Sequence, residues 1–477
     1  MQVAGQAGLR YCYDGASRLT KIVQPGSLLT VCSAASGAVN VTYDGAGRRN
    51  VVTLPNTDTV SYGYDYSSRI SSMQYQPGAH GLTYTYDAAG NRIQIGSDWA
   101  RTGLPAAMSS AAYDPADELQ TWNGAALPSG AFDANGNLQS DGTKSYSWNK
   151  RNQLTGITGG ITASFTYDAF GRRTGNTIGG VTTNFVYDGL NPVQELVGGT
   201  VTANLLTGLG IDEVFRRSTI SGGTTTNRSF FPDALGSTIA LTDDDTNLQT
   251  QYRYEPFGQE SLVSGSPSDS NPYQFTGREN DSVCQGGTNA GKSCASNADC
   301  PGTGGTCVST GLYYYRARYY NPTWGRFVSE EPLDQSVDGN LYVYVSDDPL
   351  MWTDPLGLYR LCGFSPPQAA LMESAIAEAK QTLSTTRCAG AWTGSLLSEL
   401  DAATYVYDPH MTDTHCGEMG FSDFLHRRVK IGPRAFVGCC KLPATVLHEV
   451  SHLLLFTDLE NGPMSAYKVE RQCFNCP

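Results

Sequence analysis

YDGAGRR at Tyr43–Arg49, YDAAGNR at Tyr86–Arg92 and YDAFGRR at Tyr167–Arg173 are one phrase written three times: an aromatic, Asp, two mostly small residues, Gly, then a basic or polar residue. Weaker copies stand at Tyr13-Asp14, Tyr64-Asp65, Tyr113-Asp114, Phe132-Asp133 and Tyr187-Asp188, a spacing of roughly 20 to 30 residues. Before the copy at Tyr86, Leu82-Thr83-Tyr84-Thr85-Tyr86 alternates with period two and is rich in β-formers, which predicts a half-buried strand. The Asp side chain can bond the backbone two residues on, and Gly permits positive φ. A second strand follows. Each repeat therefore predicts a hairpin that cannot bury its apolar face alone, and successive hairpins predict one continuous sheet. The tyrosines are expected to pack and cap the turns rather than to catalyse.

The phrase is joined by GLYYYRARYYNPTWGRF (311–327), NLYVYVSDDPLMWTDPLGL (340–358), FFPDALGST from Phe230 and YRYEPFGQE from Tyr252. Together, over about residues 10–358, these resemble the RHS/YD-repeat proteins and their core-associated segment. The resemblance implies a spiralling β-sheet that forms a hollow shell, enclosing a variable C-terminal toxin domain in many members. The expected fold is mainly β: a YD-repeat hairpin sheet curling into a partial shell (1–280), a Cys-rich insertion (281–310), the core-associated segment (311–358) and a small α+β zincin-like domain (359–477).

A length of 477 residues predicts two or more domains. The formal net charge of −13, with 32 Lys plus Arg and no basic patch, argues against a nucleic-acid partner. No segment has the apolar length of a membrane span. The start, MQVAGQAGLRYCYDG, lacks the charged opening and apolar run of a signal peptide. It opens inside a repeat, as a piece of a longer protein would. Thirteen cysteines favour an oxidising destination, so a secreted or cell-surface protein delivered by a bacterial-type export system is expected. Cys284, Cys294, Cys300 and Cys307 are separated by nine, five and six residues and form no C-x-x-C pair, which predicts two disulfides rather than a metal site. Cys473 and Cys476 do form C-x-x-C. A structural disulfide with Cys439, Cys440 or another partner is expected there, with a redox pair or half a zinc knuckle as alternatives.

After Leu358 the phrase stops and helical signals appear, among them AALMESAIAEAKQTL, with strand-like pieces at Ala403–Tyr407 and Arg428–Ile431. The run LPATVLHEVSHLLLF carries H-E-x-x-H at 448–452. Residues four apart share one face of a helix, so His448 and His452 can reach one Zn²⁺, and Glu449 lies close enough to serve as general base for the attacking water. Glu470, on the next predicted helix, looks like the third ligand of the gluzincin arrangement. Asp458 is the alternative, at the metzincin-like position, although Leu455 stands where that pattern has its turning Gly. His410 and His415 are weaker candidates. The strand Arg428–Ile431 is a candidate for binding an extended peptide by strand addition.

Two functions from different classes follow. One is the end of an RHS-type toxin whose cargo is a zinc-dependent peptidase, acting on a peptide or protein substrate and countered by an immunity protein. The other is a non-enzymatic cell-surface YD-repeat adhesion protein with a degenerate C-terminal domain. TDPLGL (353–358) also resembles the segment after which many family members cut themselves, here between Leu358 and Tyr359. By that resemblance Asp354 matches the second family aspartate, Glu331 stands where the first is usual, and Arg326 matches a family arginine that tunes the pair. Such chemistry needs two carboxyls sharing a proton. The competing reading makes DPLGL only a turn that closes the shell.

Overall fold

The computed structural model describes residues 9–23, 32, 37–100, 105, 107–265, 271–287, 294, 300–332 and 340–358, with scattered positions between 361 and 450. At each full phrase the chain reverses through the same turn. Asp44 Oδ1 accepts the N–H groups of Ala46 (3.0 Å) and Arg48 (2.9 Å). Its Oδ2 binds Arg48 Nε at 2.8 Å and Nη2 at 2.7 Å. Gly47 closes the turn at φ +79°, a conformation that glycine adopts without steric cost. The fixed Arg48 guanidinium lies 4.3 Å over the ring of Tyr64, in the next repeat. The Tyr64 hydroxyl donates back to Arg49 O at 2.8 Å.

This set recurs. Asp14, Asp65 and Asp168 bind Arg18, Arg69 and Arg172 in the same way. Those arginines cover Tyr43, Tyr86 and Tyr187, and the three tyrosine hydroxyls donate to Leu19 O, Ile70 O and Arg173 O. The expectation that the tyrosines cap turns is met. Asp87, Asp114 and Asp133 keep the backbone loop with Asn91, Glu118 and Asn137 in place of the arginine, whereas Asp188 faces Asn191 across a two-residue turn and has no such loop. Conversely, Asn149 runs the same turn with Gln153, a copy the aromatic-Asp pattern does not reveal.

Consecutive hairpins pair with their sequence neighbours. Eight strands, from Arg10–Tyr13 to Arg92–Gly96, form one meander; three short strands follow within 111–126; twelve more run from Ser145–Trp148 to Glu260–Gly265. The eight- and twelve-stranded sheets bury a common core, with Val39, Met73 and Tyr75 of the first against Leu206, Phe231 and Ala240 of the second. Where the phrase ends in two arginines, alternation along the strand sends the second inward. Arg49 meets Glu213 at 2.5 Å. Arg173, fully buried, meets Asp281 at 2.5 Å and lies 4.2 Å over Tyr314.

A four-stranded sheet follows: Glu279–Gln285, Thr306–Tyr315, Arg318–Asn321 and Arg326–Phe327. The Cys-rich stretch is the far end of its first hairpin and carries the two expected disulfides, Cys284–Cys300 and Cys294–Cys307; a third joins Cys12 to Cys32. Beyond Leu358, the described strands Leu361–Cys362, Thr404–Tyr407, Arg428–Ile431 and Gly417–Glu418 lie in that order in one mixed sheet. Both strand-like pieces read from the sequence are present. Arg428–Ile431 is not the open edge, however. Lys430 and Ile431 pair with Glu418 and Gly417, because the short strand between the two predicted pieces takes that side.

The turn carboxylates make acid sensitivity a consequence of the repeat. Burial alone would raise the Asp44 carboxyl, but the side-chain and backbone bonds from Arg48 overcome it and hold the group below the ordinary aspartate range. Asp168 behaves likewise through Arg172. A carboxyl more acidic in the fold than in the unfolded chain stabilises the fold above its unfolded pKa, about 3.9, and that contribution disappears as the pH falls through the folded value. Asp44→Asn is expected to lower stability at pH 7 by about 1 kcal/mol, read from urea unfolding, with the gap to wild type closing toward pH 2. A gap that stays constant over this range would mean that the carboxylate charge does not hold the turn.

Candidate functional site

The described residues bring together a cluster of charges where the repeat array ends. Residues 354–357 present four consecutive carbonyls, and each has a donor. Arg278 Nη2 reaches Asp354 O (3.4 Å) and Pro355 O, to which Arg316 also donates (2.9 Å). Ala317 N–H donates to Leu356 O (3.1 Å), and Arg318 Nε to Gly357 O (2.7 Å). Gly357 is at φ +69°, and a Cβ there would run into the Tyr315 carbonyl, so this position requires glycine. Arg278 and Arg316 are themselves held by Asp212, from the turn before the strand Val214–Ser221.

Of the four residues assigned to self-cleavage, three meet. Arg318 Nη2 binds Glu331 Oε2 at 2.6 Å and Asp354 Oδ2 at 3.3 Å. The Leu358 N–H donates to Asp354 Oδ1 at 2.9 Å, so this carboxylate sits beside the last residue before the proposed cut. Tyr359 lies outside the described residues. Arg326 is not the arginine of this site. It lies in a two-residue strand whose Phe327 points inward, so its own side chain points outward to Asp347, which it binds through both Nη atoms. Arg318 holds the place instead, 3 % exposed and 3.6 Å over the Phe327 ring. A signal for it exists in the sequence: an arginine within YYYRARYY is set among aromatics, and a buried arginine demands acidic partners.

One guanidinium thus holds both carboxylates. The hydroxyls of nearby Tyr315 and Tyr344 are pushed far up by burial, so neither serves as a base near neutral pH. In this arrangement the cluster is an ionic clamp. His448, Glu449, His452, Glu470 and Asp458, the residues expected from the sequence to form a zinc site, lie outside the described residues, as do His410, His415, Cys439, Cys440, Cys473 and Cys476. Flanking His448, Val446 and Val450 are helical and buried. No helix among the described residues is long and apolar enough to cross a membrane.

Comparison with known proteins decides what the repeats are. The family profile described as Teneurin YD-shell matches residues 28–284. The chain belongs to the Teneurin YD-shell family. The span matched in this YD-shell protein is the repeat array and not the 311–358 segment. It is 27% identical over 302 residues to the tRNA3(Ser)-specific nuclease WapA of Bacillus spizizenii, covering 58% of this chain and 11% of that protein. It is 23% identical over 373 residues to the double-stranded DNA deaminase toxin A of Burkholderia cenocepacia, covering 69% of this chain and 23% of that one. This YD-shell chain thus spans between a tenth and a quarter of the length of these relatives. The crystal structure of TcdB2-TccC3-TEV superposes with a TM-score of 0.54 at 18% identity, over 73% of this chain and 20% of that one, a likeness of fold.

Arg318→Leu is expected to release the 354–358 segment, seen as faster limited proteolysis within it at unchanged far-UV circular dichroism. Arg326→Leu should leave the rate at the wild-type value. If the two variants are cut equally fast, Arg318 is not the anchor.

Proposed function

We propose that this YD-shell protein is the terminal part of a toxin whose effector is a zinc-dependent peptidase within residues 359–477. The observation that carries the reading is H-E-x-x-H at 448–452. Helical, buried positions at Val446 and Val450 support a helix through the motif, and the mixed sheet at 361–431 supports an α+β domain ahead of it. His448 and His452 would hold the metal, with Glu470 as third ligand and Asp458 as the alternative. Zinc bound there supplies Lewis acidity toward a carbonyl and toward water. Glu449, adjacent to the first ligand, takes the water's proton and returns it to the leaving amine. The toxin reading also implies delivery to or beyond the cell surface, a protein substrate and an immunity partner.

A nucleic-acid-directed effector is the second reading, favoured by the names of the two relatives. Zinc deaminases use His-x-Glu with Pro-Cys-x-x-Cys. None of the six histidines here begins His-x-Glu, and Cys473 follows Gln472 rather than a proline. The net charge of −13 also disfavours nucleic acid. The adhesion reading differs from both in predicting no hydrolysis. Glu449→Gln is expected to keep its zinc and lose peptidase activity by at least about a hundredfold. Glu470→Ala should weaken zinc binding in equilibrium titration while Asp458→Ala does not. Full activity in Glu449→Gln would refute the mechanism, and the reverse titration result would move the third ligand to Asp458.

We infer that the effector is released by a cut between Leu358 and Tyr359, with Asp354 and Glu331 as the pair. Glu331 is the carboxyl to take up the proton, since Asp354 Oδ1 accepts the Leu358 N–H, a bond made to its ionised form. Neutralised, it lets go of Arg318 and leaves Asp354 ionised beside Leu358. Intact-mass measurement of fresh protein should show a product starting at Tyr359, absent in Asp354→Asn. A single uncut wild-type chain from pH 4 to 8 would make DPLGL a turn and nothing more.

A further inference from the structure

Cys284, Cys294, Cys300 and Cys307 form a cluster of potential ligands that neither site above uses. Their spacing contains no C-x-x-C unit, so the sequence offers no metal pattern. The hairpin gathers them regardless. Cys284 and Cys307 face each other across the ladder between Glu279–Gln285 and Thr306–Tyr315. The disulfides run across that pair, joining each of these cysteines to one in the connecting loop. All four sulfurs therefore meet at one place. The Sγ atoms of Cys284, Cys294 and Cys300 lie within 4.8 Å of one another, and that of Cys307 is bonded to Cys294. These three cysteines are buried, between 0% and 5% exposed.

Among the described residues, the loop is also tied by Ser282 Oγ, which donates to Cys294 O. Its core cluster consists of the four cysteines themselves, and the sequence around them is Gly, Ser, Asn and Thr. A segment with so little apolar surface depends on its staples. Reduction would leave four thiols crowded at one buried point. Tetrahedral zinc with Zn–S bonds of about 2.3 Å places its sulfurs roughly 3.8 Å apart, within the span the three already occupy. A buried thiolate is costly unless something compensates its charge, and a bound Zn²⁺ does so.

We propose that this cluster has two stapled states: two disulfides under oxidising conditions, and one Zn²⁺ held by four thiolates once a dithiol has reduced them. Each disulfide takes two electrons and two protons from one dithiol, which leaves as its own disulfide. Zinc then displaces the four thiol protons, and four Zn–S bonds take the place of two S–S bonds. The hairpin beside the Arg173–Asp281 pair thus stays closed on both sides of a redox boundary, such as a protein moved between cells would cross.

The test uses the full chain carrying His448→Ala and His452→Ala, so that the proposed peptidase metal does not contribute. The protein is reduced with a phosphine, given zinc or none, and alkylated, and each cysteine is read by peptide mass mapping. Zinc is expected to slow alkylation of Cys284, Cys294, Cys300 and Cys307 together, by roughly tenfold or more. With Cys300→Ser the remaining three should lose that protection. Cobalt in place of zinc should give thiolate charge-transfer absorption that the same substitution diminishes. Equal alkylation with and without zinc in the chain that retains all four cysteines overturns the proposal, whether or not the variant folds. Protection that persists unchanged in Cys300→Ser overturns it as well.

Discussion

Every full repeat depends on one aspartate carboxylate. Asp44 binds two backbone N–H groups and the guanidinium of its own Arg48, and only then is that guanidinium a fixed plate on which Tyr64 of the next repeat rests. An exposed ion pair of this kind contributes little in isolation. Here it sets the geometry for a cation–π contact of about 0.5–1 kcal/mol and for the tyrosine hydroxyl that returns to the preceding strand. These contacts join each repeat to its sequence neighbour, as in a one-dimensional array. The scheme tolerates decay: Asp87 uses Asn91 instead of arginine, and Asn149 with Gln153 runs the turn with no charge at all.

A ladder of neighbours does not close on itself. Beside the shared apolar core, distant parts are joined by buried and half-buried arginines, each meeting an acid from elsewhere: Arg49 with Glu213, Arg173 with Asp281, Arg278 and Arg316 with Asp212. A buried charge left without its partner costs several kcal/mol, so these pairs penalise any arrangement in which the wrong strand arrives. They serve register more than net stability. Removing one partner is far more damaging than the modest worth of the pair suggests.

This division explains what the sequence made legible. The turn chemistry is contained within five residues, so the strands, the meander and the capping tyrosines could be read directly, as could Thr404–Tyr407 and Arg428–Ile431. Three of the four closing pairs span more than a hundred residues, as from Arg173 to Asp281, and no local pattern announces them. Two arginines of one segment part ways: Arg318, set among aromatics, is buried, and Arg326 faces Asp347. The two disulfides were expected as a number, while their crossed pairing depends on the facing of Cys284 and Cys307 in the hairpin. The His448–His452 spacing speaks for itself as chemistry. The choice between Glu470 and Asp458 depends on where the chain turns after that helix, which composition does not determine.

The end of the sheet and the presentation of Leu358 are one event. A strand continues only if its carbonyls meet a neighbouring strand's amides, and the carbonyls of 354–357 are bound by Arg278, Arg316, Ala317 and Arg318 instead. Those contacts stop the ladder and hold Asp354 against the Leu358 amide. Glu331, one methylene longer than the aspartate that the resemblance to self-cutting RHS proteins leads one to expect there, still reaches Arg318 at 2.6 Å. The departure therefore leaves the arginine side of the clamp intact. Its effect falls on the other side, on how far the Glu331 carboxyl stands from the Leu358 peptide once Arg318 is released. In the proposed cut, a displacement of about one ångström there is enough to slow the proton transfer about a hundredfold, so the longer side chain would act on the step after Arg318 is released and not on the release itself.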